Sequence, residues 1–175
     1  MEKEEKKIEE VHGKEKIKRI FLELLPYVII LIVVVLFRSF IATPVIVSGE
    51  SMSPTLDGGE LMILNKLEHI DRFDVVVVRH NNEDLIKRVI AMPGETISCE
   101  NGKVYVNDRL QEESYSKGTT KDFEKVKLGD NEYFVMGDNR ENSADSRIYG
   151  AFNDKQLKGT AKFVLFPFGK FGKIK

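Results

Sequence analysis

The chain has 175 residues, with 27 basic and 28 acidic side chains, a formal net charge of -1, 31% charged residues and 42% hydrophobic ones. That length bounds one compact domain of ordinary size plus an appendage, and the balance excludes a disordered chain and any global charge suited to nucleic acid. A single cysteine, Cys99, excludes an internal disulfide and a cysteine zinc cluster, and His12, His69 and His80 are not at metal-ligand spacing.

In chain order, the first element is an apolar segment. Leu24–Phe37 is a run of 14 uncharged residues bounded by Glu23 and Arg38. As helix it covers only about 21 Å, short of a hydrocarbon core of roughly 30 Å. Extended to Ile20–Ala42 it reaches about 34 Å, with Glu23 and Arg38 near the two interfaces. Pro26 falls in the first turns of that span, where a missing N–H costs least. A soluble core helix would carry a polar face, which Val28–Phe37 lacks. A cleavable signal would end in small residues, for which Phe37-Arg38-Ser39-Phe40-Ile41-Ala42 is a poor fit, and the 19-residue charged leader is long for one. The expectation is an uncleaved signal anchor over residues 20–42. The leader, residues 1–19, holds seven basic and six acidic residues, with four basic and one acidic in Lys14–Arg19. The positive-inside rule then keeps the N-terminus cytoplasmic and sends residues 43–175 outside. The leader itself reads as a short solvated helix or as a disordered tail.

Thr43-Pro44 should end the helix, and beyond it the chain reads as short strands and turns. Val45–Val47 is β-branched and apolar. Asp74–Arg79 and Leu85–Ile90 are strand runs joined by a turn at Asn81–Asp84, which predicts a hairpin. Thr96–Glu100 and Lys103–Val106 flank Asn101-Gly102, the strongest two-residue hairpin signal. Tyr133–Met136 and Thr160–Phe166 are further strands, and the polar stretch Gln111–Lys127 reads as a long loop or an inserted hairpin, in a subregion spanning about 96–132. The fold class expected is a mostly β, antiparallel domain of about 130 residues behind one N-terminal transmembrane helix.

Four stretches do not suit plain β packing. Ser51-Met52-Ser53-Pro54-Thr55-Leu56 follows Gly49-Glu50 at a strand end, where glycine permits a turn that exposes the Ser51 hydroxyl and its backbone N–H. Alone, a serine in such a turn is usually structural. Leu85–Glu95 (LIKRVIAMPGE) places Lys87 on one strand face with Leu85 and Val89, either snorkelling or desolvated for a reason. Met136–Arg147 (MGDNRENSADSR) is too dense in hydrogen-bonding groups for a surface loop alone, and Arg72–Val77 (RFDVVV) precedes the Lys87 strand.

Together, SMSPTL, DVVVV, KRVIAMPGE and GDNRENSADSR, in that order behind a single anchor, resemble the type I signal peptidase family in its short Gram-positive-type form. The likeness extends from the anchor to Phe168. It implies an antiparallel β catalytic domain and a Ser/Lys dyad: Ser51 as nucleophile, and Lys87 as general base that later activates the deacylating water. A lysine at the ordinary value of about 10.4 would be useless at pH 7, so Lys87 must be held low by removal from water. By the same resemblance Ser143 hydrogen-bonds and orients the lysine, Asp145 and Arg147 form a supporting ion pair, and Asp138 and Arg140 brace the same loop. The longer family members have a serine two positions before the nucleophile; here that position is Gly49. The Ser51 N–H remains as one oxyanion donor, and the second is left open among a backbone N–H, a water and Ser48. Loss of one such donor typically costs about 100- to 1000-fold.

The resemblance further implies secreted preproteins emerging from the translocation machinery as substrates, cut after small residues at −1 and −3 (Ala-X-Ala). Met52, Leu56, Leu85 and Ile86 match the shallow pocket, and the substrate adds as a strand beside Leu85–Ile90. No cofactor, metal or nucleic acid is implied, the partner surface is membrane lipid, and the chain is expected as a monomer in the cell membrane with its catalytic domain outside. Phe163, Phe166, Phe168 and Phe171 fit either a patch resting on the bilayer or simple core positions, and Cys99 reads as packing. Two rival readings were a self-cleaving Ser/Lys protease and an anchored binding module. The first lacks an anchor, and the second leaves Lys87 and the GDNRENSADSR block unexplained.

Overall fold

The computed structural model describes residues 2–40 and 42–174. They divide into two units, Met1–Phe40 and Ile41–Lys175.

The first unit is one helix, α1, over Glu2–Phe40, 39 residues. Of the two readings of the leader, the helical one is found, which suits its run of Glu and Lys. Because the helix starts at Glu2, Pro26 lies in its interior and not in its first turns. The stretch Lys18–Leu36 has a mean hydropathy of 2.5, is not buried, and is long and apolar enough to cross a membrane.

The second unit is antiparallel throughout its named strands. The larger sheet has eight strands: β1 (Ala42–Ile46), β2 (Leu61–Asn65), β3 (Val75–His80), β4 (Glu83–Ala91), β9 (Glu132–Met136), β10 (Phe152–Asn153), β11 (Leu157–Phe166) and β12 (Gly172–Lys173). Its order is β1-β2-β11-β3-β4-β9-β10, with β12 on β11. The smaller sheet, in the order β7-β6-β5-β8, comprises β5 (Thr96–Glu100), β6 (Lys103–Val106), β7 (Arg109–Leu110) and β8 (Phe123–Lys127).

Three hairpins share one device. Asn81-Asn82 joins β3 to β4, Asn101-Gly102 joins β5 to β6, and Asn107-Asp108 joins β6 to β7, each pair with both φ angles positive. That is the two-residue turn whose twist matches the strands it connects. The expected strands of both hairpins are found within two residues of their predicted ends. Residues 111–127 are neither all loop nor a separate hairpin, since β8 pairs with β5 and widens that sheet to four strands. Strand β2 was not anticipated: Leu61–Ile63 is a short apolar run behind Asp57-Gly58-Gly59, with too little alternation to read. At the start, β1 begins at Ala42 and contains Pro44, which an edge strand tolerates.

Three buried clusters fill the unit. One joins Val47, Met52, Leu56, Val75, Val77 and Ile86, and a second joins Val76, Val78, Val89 and Val135 on the opposite face of the β3–β4 hairpin. A third packs Ile97, Cys99, Val104 and Val106 of the smaller sheet against Ile90, Phe134 and Met136. Cys99 is thus packing, and burial pushes its thiol up to about 11. The four C-terminal phenylalanines are all exposed, at 48% (Phe163), 51% (Phe166), 82% (Phe168) and 63% (Phe171), so the core reading of them does not hold.

Candidate active site

Ser51 opens a single helical turn at the end of the segment that leaves β1. Gly49, at φ +79°, makes the reversal, a conformation that a side chain adopts only with strain. Ser53 N–H then donates to Glu50 O at 3.1 Å and Leu56 N–H to Met52 O at 3.0 Å. Met52 and Leu56, one turn apart, are buried beneath this turn with Val47 and Ile86 and pin it to the core. Among the described residues, no acceptor engages the Ser51 N–H.

Lys87 comes from the middle of β4. It is 3% exposed, and its cross-strand partner is Val76. Its Nζ donates to Ser51 Oγ at 2.7 Å. Burial lowers its pKa from the ordinary 10.5 to about 8; Asp145 pulls it up, Arg147 pushes it further down, and Asp138 pulls it up. Desolvation wins because no carboxylate touches Nζ directly among the described residues, while the apolar strand face removes its water. At pH 7 about one lysine in ten is then neutral, against a few in ten thousand at the ordinary value.

Behind this pair lies the loop after β9. Asp145 Oδ2 accepts from Gly137 N–H (2.9 Å), Ser143 Oγ (2.7 Å) and Arg147 Nη2 (2.8 Å), and its Oδ1 accepts from Arg147 Nε at 2.9 Å. Burial would raise the Asp145 pKa, but the Arg147 guanidinium and these donors outweigh it and hold the carboxyl below its usual range. Asp145 also caps the short helix α2 (Ser146–Tyr149). Ser143 therefore hydrogen-bonds Asp145, not Lys87 as anticipated, and bears on the lysine through a carboxylate that Lys87 senses.

Asp138 and Arg140 do sit in this loop but do not pair with each other. Asp138 takes a two-point contact from Arg88, Nε at 2.9 Å and Nη2 at 2.7 Å, with the pair 0% and 3% exposed. Arg88 also reaches Phe73 O at 2.8 Å and Thr55 Oγ1 at 3.3 Å, tying the Ser51 turn to the sheet. Arg140 is held by both Glu113 oxygens at 2.8 Å and by Thr120 Oγ1 at 2.9 Å. The Tyr115 ring lies 4.2 Å under the Arg88 guanidinium. Between these pairs, Asn139 holds the main chain at Ser51: its N–H donates to Ser51 O at 3.0 Å and its Nδ2 to Glu50 O at 3.2 Å.

Arg88, Asn139, Glu113 and Tyr115 were not singled out from sequence. Strand alternation next to Lys87 could have found Arg88, which must face inward on the other side of β4. Nothing marks Glu113 or Tyr115, which lie in the polar stretch read as a long loop or an inserted hairpin.

Of the expected pocket residues, Met52, Leu56 and Ile86 come together in one cluster, whereas half-buried Leu85 packs on the other face with Val76 and Val78. The strand edge offered to a substrate is shorter than anticipated. Val89 and Ala91 of β4 pair with β9, which ends opposite Arg88, so the open edge is Glu83–Lys87 and not Leu85–Ile90. Ser48 is exposed at the mouth of the Gly49 turn.

Gly137 is the tightest point in the site. A Cβ there would meet Ser143 Oγ at 2.3 Å and Ser51 O at 2.4 Å. Gly137→Ala should therefore displace the Ser51 main chain, with activity falling roughly 100-fold or more while most of the fold survives. Steady-state rates beside a thermal melt check this, and near-normal rates in a folded variant would contradict it.

The arrangement can present a serine oxygen to a carbonyl carbon, with a desolvated lysine to take its proton and a free N–H to face the resulting oxyanion: the kit of a serine hydrolase. Known proteins place the chain more narrowly. A family model described as "Signal peptidase, peptidase S26" matches residues 18–166. Signal peptidase I of Bacillus amyloliquefaciens is 40% identical over 164 residues, covering 85% of this chain and 89% of the relative. Signal peptidase I S of Bacillus subtilis is 39% identical over 163 residues, covering 83% and 89%. A crystal structure of a signal peptidase I from Enterococcus faecalis has a TM-score of 0.49 at 29% identity, covering 53% of this chain and 97% of that one. The chain belongs to the signal peptidase family, peptidase S26, and is a serine endopeptidase.

Proposed function

We propose that this endopeptidase removes N-terminal signal peptides from secreted preproteins after small residues at −1 and −3, using Ser51 as nucleophile and Lys87 as general base. The observation that carries this reading is the 2.7 Å contact between Ser51 Oγ and a lysine that burial holds near a pKa of 8. Neutral Lys87 takes the Ser51 proton as Oγ attacks the scissile carbonyl, and the oxyanion faces the Ser51 N–H. Collapse breaks the C–N bond, and Lys87 hands its proton to the departing amine of the mature chain. Lys87 then draws a proton from water as that water attacks the acyl-enzyme. The Oγ–acyl bond breaks, Lys87 returns that proton to Ser51 Oγ, and the signal peptide leaves with a new C-terminal carboxyl group. Asp145, Arg147 and Ser143 hold the loop behind the lysine, Asp138 through Arg88 holds the turn that carries Ser51, and Arg140 through Glu113 and Thr120 braces the loop after β9.

The extended substrate adds to the open edge at Glu83–Lys87, with Leu85 beside it and Met52, Leu56 and Ile86 closing the apolar floor under Ser51. A shallow apolar floor made of such side chains suits a small residue, which is the selectivity an Ala-X-Ala rule requires. Residues 1–19 form a cytoplasmic leader, 20–40 the anchor and the chain from Ala42 onward the extracytoplasmic peptidase domain. The anchor ends two residues earlier than expected because Ala42 already pairs with Asn65 in β1. The orientation rests on the basic residues at Lys14–Arg19. The exposed C-terminal phenylalanines suit a domain that works against lipid.

The pH dependence tests the role of Lys87. Because its folded-state pKa is lowered and the neutral form is the base, kcat/KM should rise through about pH 8 and level off above it. A profile that is flat from pH 6 to 10 would remove Lys87 from that role.

A further inference from the structure

The family match ends at residue 166, yet the chain continues into a strap, Phe168–Lys173, that folds back onto the turn following the nucleophile. Lys170 is its only residue with side-chain bonds to that turn among the described residues. Its Nζ donates to Asp57 Oδ2 at 2.6 Å and to Glu60 Oε1. The strap lines a groove of about 690 Å³ together with Pro54 and Thr55, three and four residues after Ser51.

Asp57 and Glu60 bound the segment that packs against residues 47–49, just before Ser51. Glu60 O accepts from Val47 N–H at 2.8 Å, and Gly59 N–H donates to Val47 O at 2.9 Å, so this turn runs alongside residues 47–49. Gly58 lies against the Gly49 main chain, its Cβ direction 3.4 Å from Gly49 O. On the far side, Lys170 and the Ser53 hydroxyl hold the Asp57 carboxyl below its usual range. Glu60 is itself 3% exposed, and its Oε2 has no hydrogen-bond partner. A buried carboxylate with an orphaned oxygen is a poor device for stability, because a hydrophobic residue of similar size would serve the core as well or better. Its position, one turn from the reversal that aims the Ser51 N–H, gives it a different use.

We propose that Lys170 is a positioning residue for the turn that carries Ser51: by clasping Asp57 and Glu60 it fixes residues 47–53, and with them the direction of the Ser51 N–H. This rests on the proposed reading of Ser51 as nucleophile. The clasp touches no substrate atom. It acts on the transition state through the oxyanion donor, so its loss should appear in kcat and leave KM nearly alone.

The test uses the full chain in lipid vesicles with an Ala-X-Ala preprotein, comparing wild type, Lys170→Met, Lys170→Arg and Glu60→Gln/Lys170→Met. Amide exchange of the segment 47–60 is measured alongside. Lys170→Met should lower kcat roughly ten- to 100-fold with KM within about twofold. It should speed exchange in 47–60 while β3, β4 and β9 stay protected, and Lys170→Arg should recover most of the rate. If Lys170→Met folds poorly, the double variant removes the unpaired buried charge and should still show the kcat loss. Unchanged exchange in 47–60, an unchanged kcat, or a loss that only tracks the fraction unfolded would overturn the proposal. If wild type itself fails to cut, the functional reading falls. The exchange rates then decide the clasp by themselves.

Discussion

Lys87→Met should lower kcat/KM on a preprotein by at least about 10⁴-fold at pH 8, and Ser51→Ala by as much, with the double variant hardly worse than either. In the proposed mechanism serine and lysine act as one unit, so removing either should remove nearly all the covalent chemistry, and the losses should not add. Methionine keeps the volume and the apolar surroundings of Lys87, so a melt close to wild type is expected. Burying a lysine so that its pKa falls from 10.5 to about 8 works against the folded state by roughly 3 kcal/mol. Lys87→Met should therefore be no less stable than wild type, and it is more stable if the void is well filled. A catalytic residue that costs stability separates cleanly from a structural one in this pair of measurements. Retained activity in a folded Lys87→Met chain would assign the base elsewhere.

Asp138→Ala carries the largest expected loss of stability. The Arg88–Asp138 pair is among the most buried ionic contacts in the second unit, and breaking such a pair by removing one partner typically costs about 3–5 kcal/mol. For a domain of this size that corresponds to a melting point lower by roughly 10–20 °C. Activity should fall as well, because Asp138 immediately precedes Asn139, whose N–H and amide hold the main chain of Glu50 and Ser51. Asp138→Asn keeps the shape and one acceptor, and should lie between. A drop of less than about 1 kcal/mol in Asp138→Ala would mean that the other partners of Arg88, Phe73 O, Thr55 and the Tyr115 ring among them, compensate it.

Much of this was legible in the sequence because it was local. The Asn-Gly turn, the valine run of β3 and the apolar flanks of Lys87 each carry their own signal in adjacent residues. The short contacts that build the site are different in kind. Asn139 meets Ser51, Glu113 meets Arg140 and Lys170 meets Glu60 across separations that no periodicity encodes. The same is true of β2, whose sheet position is set by β1 and β11 on either side and not by its own alternation. Ser143 illustrates the point at close range: the block that contains it was recognised, but its hydroxyl goes to Asp145 because that carboxylate is the strongest acceptor within reach and is fixed there by Arg147. The leader left two readings open for a local reason, since charged Lys/Glu residues favour helix as well as solvent and do not mark where a helix begins; the structure continues α1 through it.

The most direct test is to incubate the purified chain in lipid vesicles with a secreted preprotein and to sequence the new N-terminus of the product, with Ser51→Ala in parallel. The expected result is one cut, directly after the small residue at −1, made by wild type and absent with Ser51→Ala. A cut by the Ser51→Ala chain, or a wild-type cut after a large side chain, would contradict the account.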